Sequence, residues 1–205
     1  MANIDCYYYG ASPFAYLGHD AFVAMAAEHG ATVTWKPVNL FDVWEISGAV
    51  PPPKRPPVRQ RYRMVELQRV AHFRDLPINT GPAHWPFDAT LADGCAIAIQ
   101  SRGGNPASYI RCVLSGVWAE EKNFADEAVI SAALTNTGHD AESIVSAAKG
   151  DDVAATRAAN TQDAIGADAV GVPAYVLNGE VFWGQDRIDH LSHALATGRA
   201  PFIAG

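Results

Sequence analysis

The sequence predicts an α/β chain in which a βαβ unit and a ββα unit, one towards each end, contribute to a single sheet and enclose a long run of helices. Three observations predict it. Residues 4–38 read strand, helix, strand. From Val58 onward helical patterning runs for about a hundred residues with no strand signal. Residues 174–183 then carry two short apolar runs around Asn178-Gly179, followed by one more helical pattern.

Each element has a local reason. Ile4 to Tyr9 is rich in aromatic residues and suits a buried strand that stops at Gly10. Ser12-Pro13 is a helix start, because the serine hydroxyl caps free amides and proline fits the first helical position. Phe14 to His29 continues on a helical period, with Phe22, Val23 and Met25 among its apolar residues, and Gly30 closes it. Thr32 to Val38 favours extended structure, so the two strands flank a crossover helix and run parallel. Pro51-Pro52-Pro53-Lys54-Arg55-Pro56-Pro57 reads as a stiff extended connection. Beyond it Tyr62, Val65, Arg69 and Phe73 recur at helical spacing, and Thr90 to Ser101 is rich in alanine and isoleucine. Asn105-Pro106 opens a further helix, and others start near Asp126, Asp140 and Asp151, with Gly138 and Gly150 as stops. Asn178-Gly179 is the dipeptide that a tight hairpin prefers between Ala174–Leu177 and Glu180–Trp183. Gln185 to Ala196 makes the last helix, with Ile188, Leu191 and Leu195 on one face. Joined across the helical block, the two ends form the four-stranded mixed sheet of the thioredoxin arrangement. Residues 1–42 with 168–205 then make a thioredoxin-like domain, and 43–167 an inserted helical one.

Composition narrows the function classes. With 49% hydrophobic and 18% charged residues, the chain can bury a sizeable core. A net charge of −7 argues against nucleic acid as a partner. No apolar run approaches the roughly 20 residues of a membrane span, and the first residues lack the basic-then-apolar pattern of a secretory signal. Cys6, Cys95 and Cys112 are scattered without CxxC spacing, which suits a reducing cytoplasm. The seven histidines show no HxH or HxxxH spacing, so no metal site is expected.

Two motifs carry chemistry. One is Ser12-Pro13-Phe14-Ala15 at the first strand-to-helix turn; the other is Gly171-Val172-Pro173-Ala174 leading to Phe182-Trp183-Gly184-Gln185-Asp186-Arg187. A proline opening the third thioredoxin strand is a usual place for a cis bond, which exposes the preceding backbone to an extended ligand. A redox relative would have Cys-Pro-x-Cys where this chain has Ser12 and Ala15, so disulfide exchange is excluded. A serine hydroxyl at a helix N-terminus instead suits a thiolate brought by a ligand. Free amides near Gln185 suit a carboxylate and Asp186 an ammonium. The plainer alternative leaves Ser12 a helix cap and Gln185-Asp186 the start of the last helix.

This combination resembles the kappa-class glutathione transferases and, more closely, the 2-hydroxychromene-2-carboxylate isomerases of bacterial aromatic catabolism. The resemblance rests on the Ser-Pro and Val-Pro…Trp-Gly-x-Asp-Arg motifs, while the middle of the chain matches mainly in length and helical character. It implies glutathione as cofactor, with Ser12 the catalytic residue at its sulfur. Val172 and Pro173 would hold the tripeptide backbone, and Trp183, Gly184, Gln185 and Asp186 its γ-glutamyl end. It also implies a homodimer and a small aromatic carboxylate as substrate.

For that substrate the basic segment matters. Lys54, Arg55, Arg59, Arg61, Arg63, Arg69 and Arg74 are seven of the fifteen Lys and Arg, and most read as a solvated face. Lys54 or Arg55, held in the proline frame, is the candidate for the substrate carboxylate, with Trp44, His84 and Trp85 as candidate walls. The isomerases carry Asn-Arg where this chain has Pro53-Lys54, and a lysine where it has Trp44. The expected activity is a glutathione-dependent isomerisation of an unsaturated aromatic keto acid or its cyclic hemiketal. The alternatives are a transferase that releases a stable conjugate, and a non-catalytic module that binds glutathione or a peptide.

Overall fold

The computed structural model of the protein describes residues 1–203. The chain runs β1 (Asn3–Tyr8), α1 (Pro13–Glu28), β2 (Thr32–Pro37), α2 (Leu40–Ser47), α3 (Pro57–Phe73), α4 (Thr90–Ser101), α5 (Ala107–Trp118), α6 (Glu127–Asn136), α7 (Ala141–Ala148) and α8 (Asp151–Gly166). It closes with β3 (Ala174–Leu177), β4 (Glu180–Trp183) and α9 (Ile188–Thr197), and single 3₁₀ turns lie at Pro52–Lys54 and Gln185–Arg187. The sheet order is β2-β1-β3-β4, with β1 parallel to β2 and the other pairs antiparallel. This is the thioredoxin-like sheet expected from the two ends of the sequence.

Register decides where a site can form. Tyr8 pairs with Pro37, Tyr7 with Ala174, and Ala174 with Trp183. The exits of β1, β2 and β4 and the entry to β3 therefore share one end of the sheet. The Ser12 turn, the start of α2, the Gly171–Pro173 segment and the Trp183–Asp186 segment all leave from that end.

Alternation along the strands gives the sheet two faces. Ile4, Cys6 and Tyr8 of β1 enter the larger core with Trp35, Tyr175, Phe182 and residues of α1, α4, α5 and α9. Tyr7 and Ala174 face the other way, towards Val43 of α2 and Ala164 of α8. The free edge of β2 is closed by α4: the Trp35 amide donates to Gln100 Oε1 at 2.8 Å, and Gln100 Nε2 donates to the Trp35 carbonyl at 3.2 Å.

Capping matches the sequence reading closely at α1, where Ser12 is the N-cap and Pro13 the first helical residue. Asp126 and Asp140 cap α6 and α7 in the same way. Four features differ. The helix α2 was not anticipated; Asn39 caps it and Gly48 ends it in a left-handed conformation. The proline segment is not wholly extended, since it contains one 3₁₀ turn and gives Pro57 to α3. Gln185–Arg187 is a 3₁₀ turn preceding α9 rather than its first turn. On α3 the buried residues are Leu67, Val70 and Ala71, whereas Tyr62, Val65 and Phe73 are exposed. The expected domain boundary at residues 42 and 43 lies within α2. No helix among the described residues is long and apolar enough to cross a membrane.

Candidate functional site

Ser12 is 6% exposed. Its amide donates to the Tyr9 carbonyl at 2.9 Å, fixing the turn after β1. Its Oγ accepts from the Ala15 amide at 3.3 Å. Because the hydroxyl spends a lone pair on the helix, its own hydrogen is directed elsewhere and can serve an anion. The N-terminal dipole of a sixteen-residue helix adds to that preference.

Facing this turn across the same end of the sheet, the Val172–Pro173 peptide is cis. Val172 precedes the first paired residue of β3, so its backbone lies outside the ladder. The Pro173 carbonyl accepts from the Gly184 amide at 2.8 Å, which ties this segment to the end of β4. Gly171 has a special reason to be glycine. A Cβ there would lie 3.1 Å from Trp183 Nε1 and 3.3 Å from Trp44 Nε1, so the two indole nitrogens converge on a backbone that needs the space. Gly184 is constrained too: at φ 107° and ψ 151° it occupies a region essentially closed to other residues, and a Cβ would strike the Asp186 carboxylate.

The γ-glutamyl candidates divide. Trp183 is 49% exposed and Asp186 is exposed, with one carboxylate oxygen accepting from Arg187 at 2.7 Å. Gln185 is buried, and its Oε1 accepts from Arg74 Nε at 3.0 Å and Nη2 at 2.8 Å. Arg74 also donates to the Gln185 backbone carbonyl at 3.0 Å. The Gln185 side-chain oxygen is thus engaged, and Arg74, read as part of a solvated face, is a structural clamp from α3 onto the turn.

The candidate substrate walls are also placed. Trp85 is half-buried, and its Nε1 donates to the Ala11 carbonyl at 3.0 Å, directly beside Ser12. Trp44 on α2 borders Gly171, and the Arg55 guanidinium lies 5.9 Å from its ring centroid. Lys54 and His84 are exposed; the Lys54 amide donates to the Pro51 carbonyl at 2.9 Å, and neither side chain has a hydrogen bond or ion pair among the described residues. Arg63, expected with the solvated basic face, is instead half-buried on α3, with its guanidinium 5.8 Å from the Trp85 centroid. The signal available for it was spacing alone, since Arg63 lies one α3 turn before Leu67, on its buried side.

A buried acid supports the Ser12 turn from below. Asp93 of α4 is 2% exposed and accepts from the Gly10 amide at 3.0 Å. Its other oxygen has no hydrogen-bond partner and lies 3.6 Å from Arg157 of α8. Burial raises its pKa to about 7 against the pull of Arg157 and the Gly10 amide. Tyr8, Tyr9, Cys95, Tyr109 and Asp88 also lie close enough to couple with it.

Burial keeps the protein's own candidate nucleophiles and bases quiet. It pushes the Cys6 and Cys112 thiols up and the Cys95 thiol to about 12. It lowers His19, stacked on Trp35, to about 4, so that imidazole is neutral at neutral pH. Among the described residues no group of His, Cys, Asp and Glu is arranged to hold a metal. The end of the sheet therefore offers a hydroxyl donor, a helix N-terminus, an unpaired strand backbone and an exposed carboxylate. Such groups can meet an extended, charged ligand.

Comparison with known proteins agrees with this geometry at the level of fold. The description "DsbA-like thioredoxin domain" matches residues 3–196. The chain is 25% identical over 193 residues to a 2-hydroxychromene-2-carboxylate isomerase of Pseudomonas putida, covering 94% of this chain and 93% of that one. A solved 2-hydroxychromene-2-carboxylate isomerase superposes with a TM-score of 0.82 at 23% identity, covering 95% of each chain. The cytosolic disulfide reductase DsbM from Pseudomonas aeruginosa, solved with GSH, gives a TM-score of 0.69 at 17% identity, covering 96% of this chain and 98% of that one.

Proposed function

The chain belongs to the DsbA-like thioredoxin domain family, and from that premise we propose that it is a glutathione-dependent isomerase of an unsaturated aromatic keto acid or its cyclic hemiketal. The isomerase relatives named above support the reaction class. The observation that carries the reading is Ser12: a buried hydroxyl with its hydrogen free, at a helix start where redox relatives need two sulfurs and this chain has none. The residues present fit glutathione, because the Val172 backbone lies outside the strand ladder and the Asp186 carboxylate is exposed at the same end of the sheet.

When bound, glutathione would supply a thiolate able to add reversibly to a conjugated double bond, which permits rotation before elimination. The chain's own residues do the rest. Ser12 donates to the sulfur anion and raises its fraction at neutral pH, aided by the α1 dipole. Val172 and Asp186 hold the tripeptide in one orientation, so that the sulfur meets the substrate from one side. Trp85 and Trp44 give an aromatic substrate flat apolar walls and exclude water.

The test follows free thiol and isomer ratio together in one reaction with sub-stoichiometric glutathione. Many equivalents of a cyclic hemiketal carboxylate should convert to the open trans-enone while total thiol stays constant. Thiol loss matching product mole for mole would make the protein a kappa-like transferase. No turnover with any electrophile would leave it a binding module.

A further inference from the structure

The charge on Arg63 has no counterpart in the fold. Of the other partly buried arginines, Arg111 faces Asp20, Arg157 Asp93 and Arg199 Glu180, while Arg74 has no carboxylate but places its guanidinium on both Gln185 oxygens. Among the described residues no carboxylate pairs with Arg55 or Arg63, although the chain as a whole carries seven more acidic than basic side chains. Arg55 donates its Nε to the Val50 carbonyl at 2.6 Å and stacks near Trp44. The Arg63 guanidinium has only the Met64 sulfur, at 3.9 Å, besides the face of Trp85. An indole face supports a guanidinium but leaves the edge of its planar fork unused, and that edge matches a carboxylate.

The placement is specific. Trp85 reaches the Ala11 carbonyl beside Ser12, and Trp44 adjoins the Gly171 backbone, so each arginine neighbours one of the two aromatic walls of the site. Burial, and then the like charge of Arg55, lowers the pKa of Arg63. An arginine still remains charged at neutral pH, so both effects amount to a missing anion.

We propose that Arg63, with Arg55 as the second charge, forms the subsite for the substrate carboxylate, and that Arg63 rather than Lys54 fixes the orientation of an aromatic acid against Trp85. The identity of that acid rests on the isomerase reading; the subsite does not. It is tested first by binding, using naphthoate and its neutral amide as probes at saturating glutathione. Arg63→Gln should weaken naphthoate binding by about tenfold or more while affinity for the amide and for glutathione stays unchanged. Arg63→Lys should recover part of the loss by restoring charge without the fork. Arg61→Gln, exposed on the same helix, should change nothing, and thermal melts establish that each variant is folded. Unchanged naphthoate affinity in Arg63→Gln, or an equal loss of the amide, overturns the subsite. So does a loss that appears with Lys54→Gln instead. In turnover, Arg63→Gln should raise KM for the acid much more than it lowers kcat. Carboxylate-selective binding without isomerisation would remove the proposed function and keep the subsite. Isomerisation with an unaltered KM in Arg63→Gln would do the reverse.

Discussion

Two substitutions separate local structure from chemistry at single positions. Ser12 both caps α1 and offers its hydrogen outward, and an alanine would remove both roles. Ser12→Gly is the cleaner probe, because glycine at an N-cap costs only a few tenths of a kcal/mol. The glutathione-dependent rate should fall by about tenfold or more, the effect of losing one donor to an anion in a dry site, with a nearly unchanged melting temperature. Equal turnover would reduce Ser12 to a cap. Gly184→Ala should act in the opposite sense, through backbone rather than chemistry. Forcing an L residue to φ 107° and ψ 151° costs on the order of 1–3 kcal/mol, and the new methyl displaces the Asp186 carboxylate. Calorimetry should show weaker glutathione binding together with a lower melting temperature; wild-type values for both would mean that the turn tolerates the change. Ser12 was legible in the sequence because a cap-and-proline pair is local. The engagement of Gln185 was not, because Arg74 is 111 residues away and only the fold brings it there.

Asp93 is a property of packed elements, since α4 supplies the carboxyl, α8 the facing arginine and the end of β1 the amide it holds. Its folded pKa of about 7 lies above the ordinary carboxylate value of about 3.9. The folded state therefore binds more protons than the unfolded chain between these values, so the stability this group contributes is present below about pH 4. It is lost as pH rises through about 7, a change on the order of a few kcal/mol. Asp93→Asn keeps an acceptor for Gly10 and removes the titration. Denaturant unfolding at about pH 5 and about pH 8 should show the variant gaining on the wild type as pH rises; parallel pH profiles would contradict the assignment. The elements themselves were largely legible where a cap, a proline or a turn dipeptide marked them, as at Ser12, Asp126, Asp140 and Asn178-Gly179. Helix α2 escaped because its eight residues lie between a strand and a proline run, with Asn39 and Gly48 as its only punctuation. Tyr62, Val65 and Phe73 repeat at helical spacing, but periodicity does not say which face of α3 is covered.

For the whole molecule, the four segments at one end of the sheet and the three cysteines point the same way. Assayed with insulin or a small disulfide and reduced glutathione, the protein should show no protein-thiol-dependent reductase activity, because Ser12 and Ala15 stand at the redox positions and burial suppresses Cys6 and Cys95. Reduction that survives replacement of all three cysteines by serine would contradict that placement. The global arrangement was legible because strand order follows from a crossover unit and a hairpin joined to one sheet. Of the proposed carboxylate subsite, Arg55 and the two tryptophans were legible, whereas Arg63 was not, since only the fold brings α3 against the Trp85 loop. The Gln100 side chain has a consequence for the molecule's social behaviour. By meeting both backbone groups of Trp35, it imitates the next strand and uses up the hydrogen bonds that a stranger could borrow. At that point the sheet is terminated as a polymer is terminated by a chain stopper. A second copy approaching at Trp35 finds both of its backbone groups already taken, and contact at that residue falls to side chains instead.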